Sequence, residues 1–522
     1  MADKYTYITF CGRCGANNIT SCHCREATAY QEGNLCQCQS VSPTADVLLD
    51  NFRNDVTCRA LQTYKDKGLS LVDLLNLQKK LPIIYPWDKN YDNLRYNVNR
   101  RFVSFPLGIV MAQTTHDVVE TINFVRNYKL HLVARSGSHC FENFSLTDGI
   151  ILDQSQRTTM RVCVDKKIAH FELGCLIGPV QKILSEVGLI FVGGTCPNNS
   201  ISLTLGGGIG FLIRQYGLSS DSLLEAEIVL ANGDLIRSNH KDYPDLFWAL
   251  QGAGNGNFGV VTQLTIRLHR PCRKQGTIFD CTPKFIVFDI KYEYSKIHQV
   301  IDIWQRWAPR VTKRLGTEVD IYKDYILLTG QYIGCDVERV KNLLSPLLQL
   351  QPFLSDYRIV NVADATRYHG GIGYWLPFFK NKSTFVEKYL SPAAIDIIEE
   401  YMRKDIVGSE DHVEMNAFGG LMDNISQETS AFPWRNSLFW MHLQCHWLRQ
   451  EQGRDKIKWV TSFYNKIKQY TTGAYFNAPD VDLQPNYMQE YFSINAPRLI
   501  EIKKRYDPTN FFRYQQSIPV FE

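Results

Sequence analysis

The sequence predicts an α+β protein of several domains, and three observations predict it. Between about residues 101 and 268, strand-like and helix-like patterns alternate around glycine-rich turns. From 272 to about 471 the pattern changes to long amphipathic stretches, abundant aromatics and separate strand-like runs, which suggests a second α+β unit. The chain of 522 residues is also too long for one hydrophobic core.

The first 44 residues stand apart. Six of the 15 cysteines fall there: Cys11, Cys14, Cys22, Cys24, Cys36 and Cys38, spaced as CxxC, CxC and CxC. Too few apolar residues accompany them to build a core, so thiols must supply the cross-links, as zinc ligands or as a small disulfide knot. An unstructured tail is the remaining reading. Without a basic and then apolar leader, zinc is the natural choice, although an oxidising assembly compartment would reverse it. The rest of the composition is that of an ordinary globular protein, 44% hydrophobic and 21% charged. A net charge of +4 gives no argument for nucleic acid or membrane surfaces, and no run of eighteen apolar residues predicts a membrane span.

From 45 to 90, Leu69, Leu71, Leu74, Leu75 and Leu77 recur helically before Pro82 and Pro86, which reads as a helical connector. His116–Tyr128 sets Val118, Val119, Ile122 and Val125 on one helical face, with Thr114 or Thr115 as cap. Strands are expected at Leu130–Ala134, Gly149–Asp153, Leu189–Val192 and Ala226–Leu230, the last entering an Asn232-Gly233 hairpin turn. A helix is expected over Pro179–Val187, with proline at its first position and Gly188 ending it. Phe285–Phe288 and Tyr325–Leu328 read as strands of the second unit. Pro497 opens a short C-terminal helix that stops before Asp507-Pro508.

Three glycine- or serine-rich stretches carry candidate chemistry. Arg135-Ser136-Gly137-Ser138-His139 follows an apolar run, so small residues let backbone approach a bulky polar ligand beside an arginine suited to phosphate. Cys196 precedes Gly206-Gly207-Gly208-Ile209-Gly210, whose uncovered N–H groups suit a phosphate, and Phe211–Gln215 continues like a helix. Gly252 to Val261 alternates glycines before Gly259-Val260-Val261, flush enough for a ribose and pyrophosphate. Taken with Tyr506-Asp507-Pro508-Thr509-Asn510-Phe511-Phe512 near the end, these resemble the berberine-bridge-enzyme-like branch of the FAD-linked oxidases, relatives of vanillyl-alcohol oxidase.

That resemblance implies a two-part FAD-binding domain of the PCMH type over 91–271. It also implies a substrate domain, an antiparallel sheet flanked by helices, over 272–474, and a C-terminal segment, 475–522, returning to the first. It implies FAD bonded covalently through His139 and through Cys196, whose loop is one residue shorter than the family's. Ser138 stands where the family has glycine. Gly206, Gly207, Gly208, Gly210, Gly259 and Val261 join Arg135, Ser136, Gly137 and Ser138 as cofactor contacts.

The family places acid–base work at two positions. Counted from Leu438-Phe439, His442 falls at the first, with His446 as a competitor and a structural histidine as the plain alternative. At the second, Ala478 replaces the usual tyrosine, leaving Tyr475 as substitute, and Phe418 lacks the usual hydroxyl. The expected pocket is therefore less polar than the family pattern. Two functions follow: oxidation of a small alcohol, sugar or related electron donor with oxygen or another acceptor, or an FAD-binding structural or virion-surface role with residues 1–44 addressing the particle.

Overall fold

The computed structural model describes residues 8–11, 45–271, 284–370 and 377–521. Three parallel strands, Gly108–Met111, Ile150–Asp153 and Leu132–Arg135, form the first sheet, with Ile83–Ile84 antiparallel at one edge. Helix Thr115–Asn127 makes the crossover. Thr114 is its cap, and Asp117 returns a bond to the cap backbone. The 45–90 stretch packs on the main body, as a connector there would. Its helices, Ala45–Asp66 and Leu71–Gln78, lead to Tyr64, Leu74 and Tyr85, which join Val110, Ile122 and Leu152 in one core.

A six-stranded antiparallel sheet follows in the order Ile8–Cys11, Thr159–Cys163, Ile168–Glu172, Val260–Arg267, Leu223–Val229 and Leu235–Asn239. The Asn232-Gly233 hairpin joins the last two. The next helix runs Ile177–Glu186, so Pro179 is its third residue rather than its first. Leu189–Val192 forms no strand; only Ile190 bridges, to His269. Of the six N-terminal cysteines, Cys11 ends the edge strand, and the other five lie outside the described residues.

The second unit is a seven-stranded antiparallel sheet: Leu354–Asn361, Lys284–Glu293, Tyr325–Ile333, Leu315–Ile321, His412–Ala417, Phe439–Gln444 and Lys382–Val386. Because side chains alternate, Val319, Ile321, Val413, Met415, Met441 and Leu443 face one way, into a core shared with helices Ile297–Trp307, Pro392–Met402 and Gly453–Ile467. The residues between them face the other way. The C-terminal helix Ala496–Tyr506 then straps the chain back: buried Lys503 donates to the carbonyls of Asn257 and Phe512, and Phe512 enters the first core.

Candidate active site

A cavity of about 260 Å³ lies between the two glycine-rich segments of the first unit and the C-terminal strap. Arg135, Ser136, Gly137, Ser138 and His139 line it, as do Gly254, Gly256, Gly259 and Val261 opposite, and Phe476, Asn477 and Tyr514 from the strap. Gly259 must stay glycine, since an added Cβ would meet the Val229 carbonyl oxygen at 2.6 Å. Three buried polar atoms of lining residues have no hydrogen-bond partner: Ser145 Oγ, Gln154 Oε1 and Asn199 Oδ1. Such orphans are costly unless a ligand meets them: the hydroxyls of a dinucleotide would donate to the two amide oxygens, and its phosphates would accept from the Ser145 hydroxyl.

Arg135 does not play the part its sequence position suggests. Its guanidinium donates to Asp153 (2.6 Å), to the Tyr96 carbonyl (3.0 Å) and to the Leu94 carbonyl, so it knits strand to strand instead of facing a phosphate. His139 lines the cavity, and burial lowers it to about 4. The imidazole is therefore neutral at physiological pH and keeps a nucleophilic lone pair. Cys196 is buried but does not line the cavity. Its Cα lies 3.1 Å from where a Cβ on Gly370 would stand, beneath the end of helix Val362–Gly370, and burial raises its thiol. The structure thus brings His139, but not Cys196, to the cavity wall.

The run Gly206, Gly207, Gly208 and Gly210 is also absent from that wall. The N–H groups of Gly208 and Ile209, expected to meet phosphate, donate to Tyr475 Oη at 2.9 and 3.2 Å, and Asn477 Nδ2 adds a third bond at 2.8 Å. Gly208 sits at φ +83°, where a Cβ would strike Ser219 at 2.3 Å. The continuation is a helix of only four residues, Ile213–Tyr216, too short to aim a terminus at an anion. Tyr475 is consequently a clamp, raised to about 12 by burial, rather than a free base. Tyr475→Phe should strand the buried Gly208 and Ile209 donors and cost about 1–3 kcal/mol. A lowered thermal midpoint, with activity falling less than for the proton acceptor below, checks this.

A charge knot fixes the loop that presents His139. Glu142, three residues on, meets Lys380 Nζ at 2.6 Å and Arg101 at 2.7 Å. Lys380 also pairs with Asp480 of the strap, which meets Lys382 at 2.7 Å. Lys380, Glu142 and Asp480 are all buried. Burial alone would depress Lys380, but Asp480, Glu142 and Asp482 outweigh it and raise it. Three distant segments therefore converge on one ammonium.

His442 lies beyond Phe141, a lining residue whose ring stacks on the imidazole at 5.8 Å and 4°. Trp440 stacks on it at 4.9 Å. His442 Nδ1 is 3.2 Å from Glu414 Oε2, which also accepts from Gln444 at 2.7 Å. Burial lowers His442 to about 3, so alone it holds a proton poorly. Burial raises Glu414 to about 7, where a carboxylate is a competent base. His446 is not on this strand; it pairs with Phe379, and its N–H donates to Asp411. Glu414 was missed in the sequence, although a lone acid amid the apolar alternation of His412–Ala417 was its signal. The expectation of a less polar pocket holds for Phe418 and Ala478, which lie in an apolar cluster with Phe385, Phe432 and Trp434. It fails one strand over, where carboxyl groups gather.

Among the described residues, no group of three or more His, Cys, Asp or Glu side chains is placed to hold a metal, and no helix is long and apolar enough to cross a membrane. The family profile "Berberine and berberine like" matches residues 474–519, and "FAD binding domain" matches 106–239. An uncharacterised FAD-linked oxidoreductase of Bacillus subtilis, YgaK, is 32% identical over 445 residues, covering 83% of this chain and 95% of its own length. A monolignol oxidoreductase of Arabidopsis thaliana, AtBBE-like 13, is 29% identical over 478 residues, covering 82% and 86%. Among solved structures, BBE-like 1 of Physcomitrella patens superposes with a TM-score of 0.77 at 25% identity, over 84% of this chain and 97% of that one. The xylooligosaccharide oxidase of Myceliophthora thermophila shares the fold, with a TM-score of 0.76 at 22% identity over 85% and 98%.

Proposed function

The chain belongs to the berberine-bridge-enzyme-like family of FAD-linked oxidoreductases, and we propose that it oxidises a small alcohol, sugar or related donor on FAD attached through His139. The observation that carries this reading is the path from His139 and Phe141 on the cavity wall to the stacked His442 and its partner Glu414. FAD, when bound, supplies the hydride acceptor. The chain's residues do the rest. Asn199 Oδ1 and Gln154 Oε1 would accept from the cofactor's hydroxyls or N–H groups, and the Ser145 hydroxyl would donate to a phosphate, while Gly137 and Gly259 let the loop and strand that line the cavity pack tightly on Ser200 and Val229. Glu414 takes the donor's hydroxyl proton, and His442 holds the carboxylate in place through Nδ1.

Neutral His139, on the cavity wall, would be the residue that holds the flavin covalently. Cys196 would be the second anchor; its loop packs against the end of helix Val362–Gly370, off the cavity wall. Anaerobic mixing of the purified yellow protein with a panel of aldoses and primary alcohols tests the reading. At least one donor should bleach the visible flavin absorbance, and oxygen or an artificial acceptor should restore it. A flavin that no donor reduces would overturn it.

A further inference from the structure

The sheet face beside His442 holds more acid than proton transfer requires. Strand register places two rows across it. In one, Asp320 stands opposite Glu414, which stands opposite His442. In the other, Asp289 stands opposite Thr329, Thr329 opposite Glu318, and Glu318 opposite Asn416. Alternation sends all four carboxyl groups to the side away from the core that Val319 and Ile321 enter.

Glu318 and Glu414 hydrogen-bond to each other, and their other partners bring no positive charge. Asn416 donates to Glu318 at 2.8 Å, Thr329 to Asp289 at 2.7 Å, and Gln444 to Glu414, all uncharged groups. Asp320 is 94% buried by the complement of its 6% exposure, and its Oδ1 has no hydrogen-bond partner. Five other buried acids are handled differently: Glu142, Asp153, Asp411, Asp480 and Asp507 each meet a lysine or arginine, while Asp117 accepts backbone N–H groups at a helix start. Among the described residues, Glu318, Asp320 and Glu414 meet neither a lysine nor an arginine. Packed together and desolvated, Glu318 and Asp320 are pushed well above the usual carboxyl range. A compact cation with several donors would let these carboxyl groups ionise, and among the described residues no group of three or more His, Cys, Asp or Glu is placed to hold a metal.

We propose that Asp320 and Glu318 form an ammonium-binding subsite, so that the donor oxidised here carries a protonated amine beside the hydroxyl that reacts. An ammonium brings three donors on one compact charge, matched to the bare Asp320 Oδ1 and its carboxyl neighbours. The inference rests on the reading of this sheet face as the donor site, with Glu414 kept for the proton and Asp320 for the charge.

The test uses the flavin-loaded protein. Glucosamine and benzylammonium are titrated against their uncharged counterparts, glucose with N-acetylglucosamine, and benzyl alcohol. Thermal midpoint and binding heat are read in two buffers of different ionisation enthalpy. At least one of the two ammonium compounds should raise the midpoint and release protons as the carboxyl groups ionise, and its uncharged counterpart should do neither. Asp320→Asn should weaken that binding roughly tenfold to a hundredfold, the loss of one charge-assisted contact. It should leave the midpoint of the free protein nearly unchanged, because a carboxyl held in its neutral, protonated form gives way to a neutral amide of the same shape, whereas a purely structural Asp320 would lower it. Equal binding of charged and uncharged partners, no binding of either ammonium compound, or full binding by Asp320→Asn would each overturn the proposal. None of these readouts needs turnover. Flavin reduced only by neutral alcohols would sink the subsite alone, whereas ammonium binding with a flavin no donor reduces would sink the oxidase reading alone.

Discussion

Glu414→Gln is expected to lower kcat/KM by about 10²–10⁴-fold, the range for removing a positioned proton acceptor. The amide keeps the shape and the contacts to His442 and Gln444 but cannot take a proton. In the parent protein, kcat/KM should rise with pH through about 7, the value to which burial raises this carboxyl, and the variant should lose that inflection. Stability moves the opposite way. A carboxyl whose folded-state affinity for a proton exceeds its unfolded one contributes stability at low pH that is lost as pH rises through about 7. The variant, neutral at every pH, should therefore be the more stable protein above pH 7 although the less active one. Steady-state rates and thermal midpoints across pH check both halves, and a variant that is inactive because it is unfolded would contradict them.

Lys380→Ala is the second large effect. It leaves Glu142 and Asp480 buried with one cation fewer, and removing one partner of a buried pair costs about 3–5 kcal/mol. Arg101 and Lys382 remain as partial compensation, so the lower end is expected. Because Glu142 closes the loop that presents His139, flavin content per protein should fall together with the chemical-denaturation midpoint. Arg358→Ala, at an exposed pair with Asp356, serves as control and should change neither measurably.

Much of this arrangement was legible in the residues because local physics dictated it. Thr114 and Asp117 write a helix start in three positions, and Asn232-Gly233 writes a hairpin. The Arg135–His139 stretch does line the cavity, since only small residues fit beside a large ligand. What failed depended on distant partners. Nothing near Gly208 announces that Tyr475, 267 residues away, will take its N–H, and Arg135 looks available until Leu94, Tyr96 and Asp153 surround it. Glu414 and Asp320 were passed over for a related reason: a single acid in a strand reads as solvent-facing until the sheet's other strands bury it.

The most direct measurement is a peptide mass map of the denatured, proteolysed protein, read beside in-gel flavin fluorescence of His139→Ala, Cys196→Ala and the double variant. The peptide containing His139 should carry the mass of FAD, His139→Ala should retain only a weaker linkage through Cys196, and the double variant should show no linked flavin. An unmodified His139 peptide from yellow protein, with all pigment released by acid, would contradict attachment at His139.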